Sequence, residues 1–262
     1  MINNKNIDNG KNFDWGLASA DYAKYRDIYP DEFYKKIVDL GCCVENQTVL
    51  DLGTGTGVLP RNMYKFGAKW IGCDISENQI KYAKEMSKGL DIDYIVSSAE
   101  NLNFEEGCFD VVTACQCFMY FDKSVIPPKI HKWLKPRGHF LILNMAWLPF
   151  ESEIAKASED LVLKYNPSWS GAGMARYELS APDWSKRFFD VSNAVAYEMD
   201  LLFTRETWHG RIKACRGIGA SSLSDEEKYK WEKEHLDYLR TVPTEFTIPH
   251  YITILDLKRK DL

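Results

Sequence analysis

Short apolar runs alternate with segments of helical period along the first 150 or so residues. Residues 48–52, 69–74, 92–96, 109–115 and 139–145 are rich in Val, Ile, Leu and aromatics and are bounded by Gly, Pro, Asn, Asp or Ser, so they read as buried strands. Between them the period changes. Residues 58–66 and 124–134 read as helices, and so does a segment entered by Ser76 with Gln79 three places on, a capping-box pattern, whose apolar face is Ile80, Ala83 and Met86. Ahead of the first strand, Pro30 at the first helical position opens a helix with Asp31 and Glu32 in its first turn; Phe33, Ile37 and Leu40 form its stripe and Gly41 its stop. Residues 135–138, Lys-Pro-Arg-Gly, read as a turn. Strands and helices that alternate with short loops predict an α/β, doubly wound, mostly parallel sheet.

After Trp147 the rhythm breaks. A helix over 151–165 is followed by a Pro, Ser and Gly loop over 166–173 and a short helix over 181–189. Then come a strand over 195–203, helices over 205–216 and 224–241, and a last strand over 250–257 with Pro249 at its start. Residues 147–190 therefore read as an insertion, a lid that sets substrate choice. Residues 1–12 are polar and Asn-rich and read as a flexible tail. Five aromatics between Phe13 and Tyr29 exclude disorder there, so 13–46 reads as an N-terminal clamp, and 13–262 as one domain.

Composition narrows the function. Hydrophobic residues at 45% and charged residues at 27% are those of a globular chain, and no apolar run approaches the roughly 18 residues of a membrane span. The net charge of −5, with no block of Lys or Arg, argues against nucleic-acid and membrane partners. Seven cysteines, an odd number with no secretion signal, suit reduced thiols and a cytoplasmic setting. No metal pattern is visible: Cys115-x-Cys117 has no second ligand pair, and the five histidines are scattered. Oligomeric state is not fixed by any of these features.

The chemistry concentrates in Asp51-Leu52-Gly53-Thr54-Gly55-Thr56-Gly57, which joins the first strand to a helix. Glycines at alternate positions permit positive φ and close approach of backbone to a ligand, and a carboxylate precedes them. Asp74 ends the second strand, where a carboxylate accepts both hydroxyls of a ribose. A dinucleotide fingerprint would need glycine at position 58, which is Val58; the spacing is G-x-G-x-G.

These residues resemble the class I S-adenosylmethionine-dependent methyltransferases. The matching blocks are Val49 to Gly57, Gly72-Cys73-Asp74-Ile75-Ser76, Ser98-Ala99-Glu100-Asn101-Leu102, Phe109-Asp110-Val111-Val112 and Leu134-Lys135-Pro136-Arg137-Gly138, in the family's order. The resemblance implies a Rossmann-like sheet of seven strands, the last antiparallel, with S-adenosylmethionine as cofactor. It implies that Asp51, Gly53, Thr54, Gly55 and Gly57 wrap the methionine part, Asp74 holds the ribose, Ile75 packs on adenine, and Ser98, Ala99 and Glu100 meet the base edge. Cys115, which ends the fourth strand, and Gln116 after it belong to the same cofactor set. The run Tyr22-x-x-Tyr25-Arg26-x-x-Tyr29-Pro30 is similar to the trans-aconitate methyltransferase-like subgroup, with Arg26 facing either the cofactor carboxylate or a salt bridge of the clamp.

Methyl transfer from a sulfonium is an in-line displacement, for which holding and desolvating the reactants is the main task. A general base is needed only where the nucleophile must lose a proton, and no paired acid–base constellation stands out. Arg211 and Arg216 are candidates to fork a substrate carboxylate, and Tyr22, Tyr120 and Trp147 to line an aromatic substrate site. The expectation is a methyltransferase acting on a small molecule, a carboxylate among the candidates. A cofactor-binding protein without catalysis and an NAD-dependent oxidoreductase are the alternatives; a nucleic-acid or protein methyltransferase is disfavoured by the acidic charge.

Overall fold

The computed structural model describes residues 2, 5 and 7–261. Seven strands form one mostly parallel sheet flanked by helices: β1 (Thr48–Leu52), β2 (Lys69–Asp74), β3 (Ile92–Val96), β4 (Phe109–Cys115), β5 (Leu134–Trp147), β6 (Phe189–Thr204) and β7 (Glu245–Arg259), in the order β3-β2-β1-β4-β5-β7-β6. The pairings β2–β3, β1–β2, β1–β4 and β4–β5 are parallel. Such strands are covered on both faces, which is why β1 and β4 are near-continuous apolar runs rather than alternating ones. The helices are α1 (Ser19–Tyr25), α2 (Asp31–Asp39), α3 (Val58–Met63), α4 (Glu77–Met86), α5 (Ile126–Trp133), α6 (Glu153–Tyr165), α7 (Arg205–Lys213) and α8 (Asp225–Leu239). Among the described residues no helix is long and apolar enough to cross a membrane.

Local sequence explains most of these ends. The Gln79 N–H donates to Ser76 Oγ at the start of α4, and Ser224 and Glu227 cap α8 reciprocally. Pro30 stands one place earlier than expected, as the N-cap of α2 in extended backbone. Other boundaries move further. The helix expected over 181–189 is a single turn, Asp183–Ser185, and β6 begins at Phe189, with three residues between them. Strand β7 begins at Glu245, so Pro249 lies inside it. The turn expected at 135–138 is absorbed into β5, with Arg137 at φ 64° and a register shift opposite Phe109 and Val111. A bulge there ends the pairing of one stretch and starts the next.

The chain divides into two compact units: the described residues up to Ile28 with Ala146–Tyr177 and Glu198–Tyr251, and Tyr29–Met145 with Glu178–Tyr197 and Ile252 onward. Neither expected segment stays whole. The clamp divides after Ile28 and the insertion after Tyr177. The tail expected over 1–12 is also revised. Positions 1, 3, 4 and 6 lie outside the described residues, but Ile7 and Asp8 are buried, and Asp8 Oδ2 accepts from Arg216 Nε at 2.7 Å. A paired charge and a buried isoleucine hold this segment where composition alone suggested a polar tail.

The nucleotide-type unit (29–145 and its later segments) is packed around Leu50, Leu52, Val112, Ala114, Trp133 and Phe140, all buried. The other unit contains a buried polar chain. Trp208 Nε1 donates to Ser158 Oγ at 2.9 Å, Ser158 Oγ meets His235 Nε2 at 3.0 Å, and His235 Nδ1 meets His209 Nδ1 at 2.9 Å. Two imidazoles joined nitrogen to nitrogen need one donor and one acceptor, so the chain is broken once both rings are protonated. Burial pushes His235 down to about 3 and His250 down to about 4, and lowers His209.

These shifts have opposite signs in the two units. The unfolded chain protonates its histidines near 6.5, before the folded one does, so the first unit loses stability as pH falls below 6.5, by roughly 2 kcal/mol at pH 5 for each of His235 and His250. In the other unit burial raises Asp51 to about 6, so the folded chain takes up that proton first and gains stability as pH falls below 6. Hydrogen exchange at pH 7 and 5, corrected for intrinsic rates, should therefore show α7 and α8 losing protection while β1 and β4 keep theirs. Equal losses in both would contradict the assignment.

Candidate active site

The loop from β1 to α3 is built by backbone conformation. Gly53, Gly55 and Gly57 have φ of 64°, 57° and 74°. At two of them space also excludes a side chain: a Cβ at Gly53 would stand 2.8 Å from Cys117 Sγ, and one at Gly57 would stand 2.3 Å from the Tyr94 hydroxyl. The Thr54 N–H donates to the Cys73 carbonyl at 2.8 Å, and Cys117 Sγ donates to the Leu52 carbonyl at 3.0 Å. The turn is thus clamped to β2 on one side and sealed by a buried thiol on the other.

Two carboxylates flank it. Asp51 is 1% exposed and accepts from Thr113 Oγ1 at 2.6 Å. Burial raises its pKa to about 6, against the pull of that hydroxyl, with the nearby Asp74 charge adding to the rise. Asp74 Oδ2 accepts from the Gly55 N–H at 3.0 Å and Oδ1 from the Ser76 N–H at 2.8 Å. Burial raises its pKa too, and the two N–H donors oppose the rise.

The remaining cofactor candidates, Arg26 apart, gather at the same edge. Because β1 to β4 are parallel, Leu52, Asp74, Val96 and Cys115 all stand at carboxyl ends, the edge where open α/β sheets bind ligands. Ile75 follows Asp74 and is 48% exposed, an apolar surface next to the acid. Ser98 leads into a tight turn at Ala99–Asn101. The Glu100 carboxylate accepts from the Asp122 N–H at 3.1 Å, and its carbonyl from Lys129 Nζ at 2.6 Å. Cys115 Sγ donates to the Tyr29 hydroxyl at 3.4 Å. Gln116 sits at φ 62°, and its carboxamide donates to the Met145 carbonyl. Sequence reading missed Thr113, Tyr94 and Tyr29 as partners of this edge. Tyr29 stands in the Tyr22 to Pro30 run without that run indicating this contact, and no motif marks Thr113 or Tyr94; each acts from a strand or segment distant in sequence.

The substrate candidates divide. Tyr120 lies in a short turn, Phe118–Tyr120, of the nucleotide-type unit. Tyr22, Trp147, Arg211 and Arg216 belong to the other unit, and so does Arg26, which was expected among the cofactor residues. There, Arg26 lies over the Tyr22 ring, 4.8 Å from its centroid. Arg211, 3% exposed, lies 4.7 Å from the Trp147 ring centroid, and Trp147 Nε1 donates to Glu159 Oε1 at 2.6 Å. Arg216 does not fit the expected role: its guanidinium is committed to Asp8 and Ser170 within that unit, where it fastens the N-terminal segment.

The residues fit a cationic nucleoside cofactor. Two acids, Asp51 buried and Asp74 half-buried, flank a turn closed to side chains at Gly53 and Gly57, and the Thr56 hydroxyl in that turn is buried without a hydrogen-bond partner among the described residues. Comparison with known proteins agrees. The family described as a methyltransferase domain matches residues 50–142. The uncharacterized methyltransferase C25B8.09 of Schizosaccharomyces pombe is 30% identical over 231 residues, covering 86% of each chain. Phosphoethanolamine N-methyltransferase 3 of Arabidopsis thaliana is 26% identical over 254 residues, covering 85% of this chain and 51% of that protein. The chain spans about half the length of several curated relatives it matches. Among solved structures, the YcgJ protein of Bacillus subtilis superposes with a TM-score of 0.54 at 21% identity, over 88% of this chain and all of that one, a likeness of fold. With the Schizosaccharomyces pombe relative 30% identical over 86% of both chains, and the family match lying on the glycine turn and its acids, the chain belongs to the class I S-adenosylmethionine-dependent methyltransferases.

Proposed function

We propose that this methyltransferase acts on a small molecule, and that its cofactor is held by the edge formed by Asp51, the 53–57 turn, Asp74, Ile75 and the 98–100 turn. The observation that carries the cofactor assignment is the paired acid geometry. Asp74 is fixed by two backbone N–H groups with its remaining lone pairs available to ribose hydroxyls, and Asp51 is a buried carboxylate beside a glycine turn. S-adenosylmethionine, when bound, supplies an electrophilic methyl group on a sulfonium. The chain's part is to bind, orient and exclude water. A small acceptor is supported by the acidic charge, which offers no basic face to a nucleic acid, and by the phosphoethanolamine named for one relative.

The finer reading is a carboxylate acceptor of the trans-aconitate kind. It rests on the Tyr22 to Pro30 run and on the buried Arg211, a residue type that forks carboxylates. A carboxylate nucleophile needs no base, in keeping with the lack of an acid–base pair among the residues assigned to the cofactor edge.

Three measurements test these statements. Asp74→Ala should weaken S-adenosylhomocysteine binding at least about tenfold in calorimetry, since it removes a charge-assisted acceptor; unchanged affinity would remove Asp74 from the site. Affinity for S-adenosylmethionine should fall with pH below about 6, where Asp51 takes up a proton and ceases to attract a cation, and level off above it; a pH-independent affinity between 5 and 8 would remove Asp51. Last, a methyl-transfer screen over carboxylic acids, amines and phenols should give turnover on the acids with a rate flat from pH 7 to 9, whereas a rate that climbs with pH on amines or phenols would overturn the carboxylate reading.

A further inference from the structure

Away from the cofactor edge, one group of side chains has the makings of a metal centre. Strands β5, β7 and β6 are neighbours in that order, and each offers a polar side chain in the same unit: His139, Asp256 and Asn193. His139 Nδ1 and Asp256 Oδ1 are 2.7 Å apart, and Asn193 Nδ2 donates to Asp256 Oδ2 at 2.9 Å. The fourth member comes from the segment after α2. Gly41 at φ 73° and Cys43 at φ 60° turn the chain so that Cys42 sits between two left-handed residues. One donor atom each from Cys42, His139 and Asp256 lies within 4.8 Å of the others.

Cys42 and Asp256 are fully buried, while the His139 side chain keeps 23% of its surface open to solvent. Among the described residues, His139 is the one ion-pair partner of Asp256. A buried carboxylate is costly unless it is paired or coordinates a metal. Thiolate, imidazole and carboxylate together form the mixed donor set of zinc, and the Asn193 amide on the outer carboxylate oxygen is the kind of support that orients a metal ligand.

We propose that Cys42, His139 and Asp256 bind one zinc-type divalent cation, with Asn193 positioning the carboxylate and water completing the coordination from the exposed side of His139. Binding replaces the thiol proton and any proton shared by His139 and Asp256, which leave to solvent; no electron is transferred. Burial and the nearby Asp256 charge push the Cys42 thiol up to about 12, and a cation among the three donors reverses that preference, so loading releases protons.

The place in the fold assigns the role. His139 pairs with Val111, whereas the cofactor edge begins where Leu143 pairs with Cys115, four residues further along the strand or about 13 Å away. Cys42 likewise precedes β1. The ion therefore sits toward the amino edge of the parallel strands, opposite the chemistry, and ties the segment after α2 to three strands that are far apart in sequence. That scatter explains why no ligand spacing is visible along the chain.

The test uses the full chain, stripped with a chelator in the presence of a non-thiol reductant, then titrated with Zn²⁺ or Co²⁺. One zinc per chain should remain after gel filtration, measured by elemental analysis. The Co²⁺ form should show a sulfur-to-metal charge-transfer band. Cys42→Ser should abolish that band, Cys108→Ser should leave it, and His139→Gln should weaken zinc binding more than about tenfold. His139 is partly exposed, so His139→Gln decides the matter even if Cys42→Ser does not fold. A native chain that shows no charge-transfer band, or a His139→Gln chain that binds zinc as tightly as the native one, would overturn the proposal and leave a histidine–aspartate pair beside a packed thiol. Both readouts are independent of methyl transfer, so a failure here is distinct from a failure of the proposed function.

Discussion

The hydrogen bond from the Gly55 N–H to Asp74 is the constraint on which the cofactor edge depends. It joins the middle of the loop after β1 to the last residue of β2, and the same carboxylate accepts from Ser76, which caps α4. One side chain thereby fixes a turn, a strand end and a helix start. The geometry is available only because β1 and β2 are parallel and in register, with Leu52 opposite Cys73, so that their carboxyl ends coincide. Asp51 faces the other neighbour, β4, through Thr113. The two acids are therefore held from opposite sides of β1, and the loop between them has little freedom left.

The same packing that orders the edge also tunes it. Asp51 is buried deeply enough to titrate near 6 without any dedicated partner for its negative charge beyond hydroxyls. In the other unit burial acts on bases and lowers them, so His209 and His235 are held as a neutral pair under Trp231. One physical effect, desolvation, leaves one unit with carboxylates that resist ionisation and the other with imidazoles that do. A cationic ligand suits the first environment, where it restores to a carboxylate the compensation that water no longer provides.

Legibility in the sequence followed the range of the forces involved. Strands β1 to β4, the helices between them and the glycine turn were readable because short-range pattern and backbone conformation decide them. So were Asp51 and Asp74, whose positions relative to strand ends follow from the chain itself. Partners that arrive from elsewhere were not readable. Arg216 looked like a ligand for a carboxylate, and its carboxylate proved to be Asp8, from a segment whose composition resembles a loose tail. Pro136 and Pro249 looked like boundaries and lie inside long strands. The division of 13–46 and 147–190 between two units was equally hidden, since pattern along the chain does not record which distant segments share a core.

Position 57 carries a consequence for how this protein can vary. Its φ of 74° disfavours any L-residue with a side chain, and its Cβ position is occupied by the Tyr94 hydroxyl, itself held by Ser87 at 2.8 Å. The two exclusions are independent. A smaller residue at 94 would open the space and leave the backbone conformation wrong, and a relaxed backbone would still meet the ring. A loss of glycine here therefore carries two separate costs, and a change at 94 would relieve only one of them, so variation in this fold is steered away from the position.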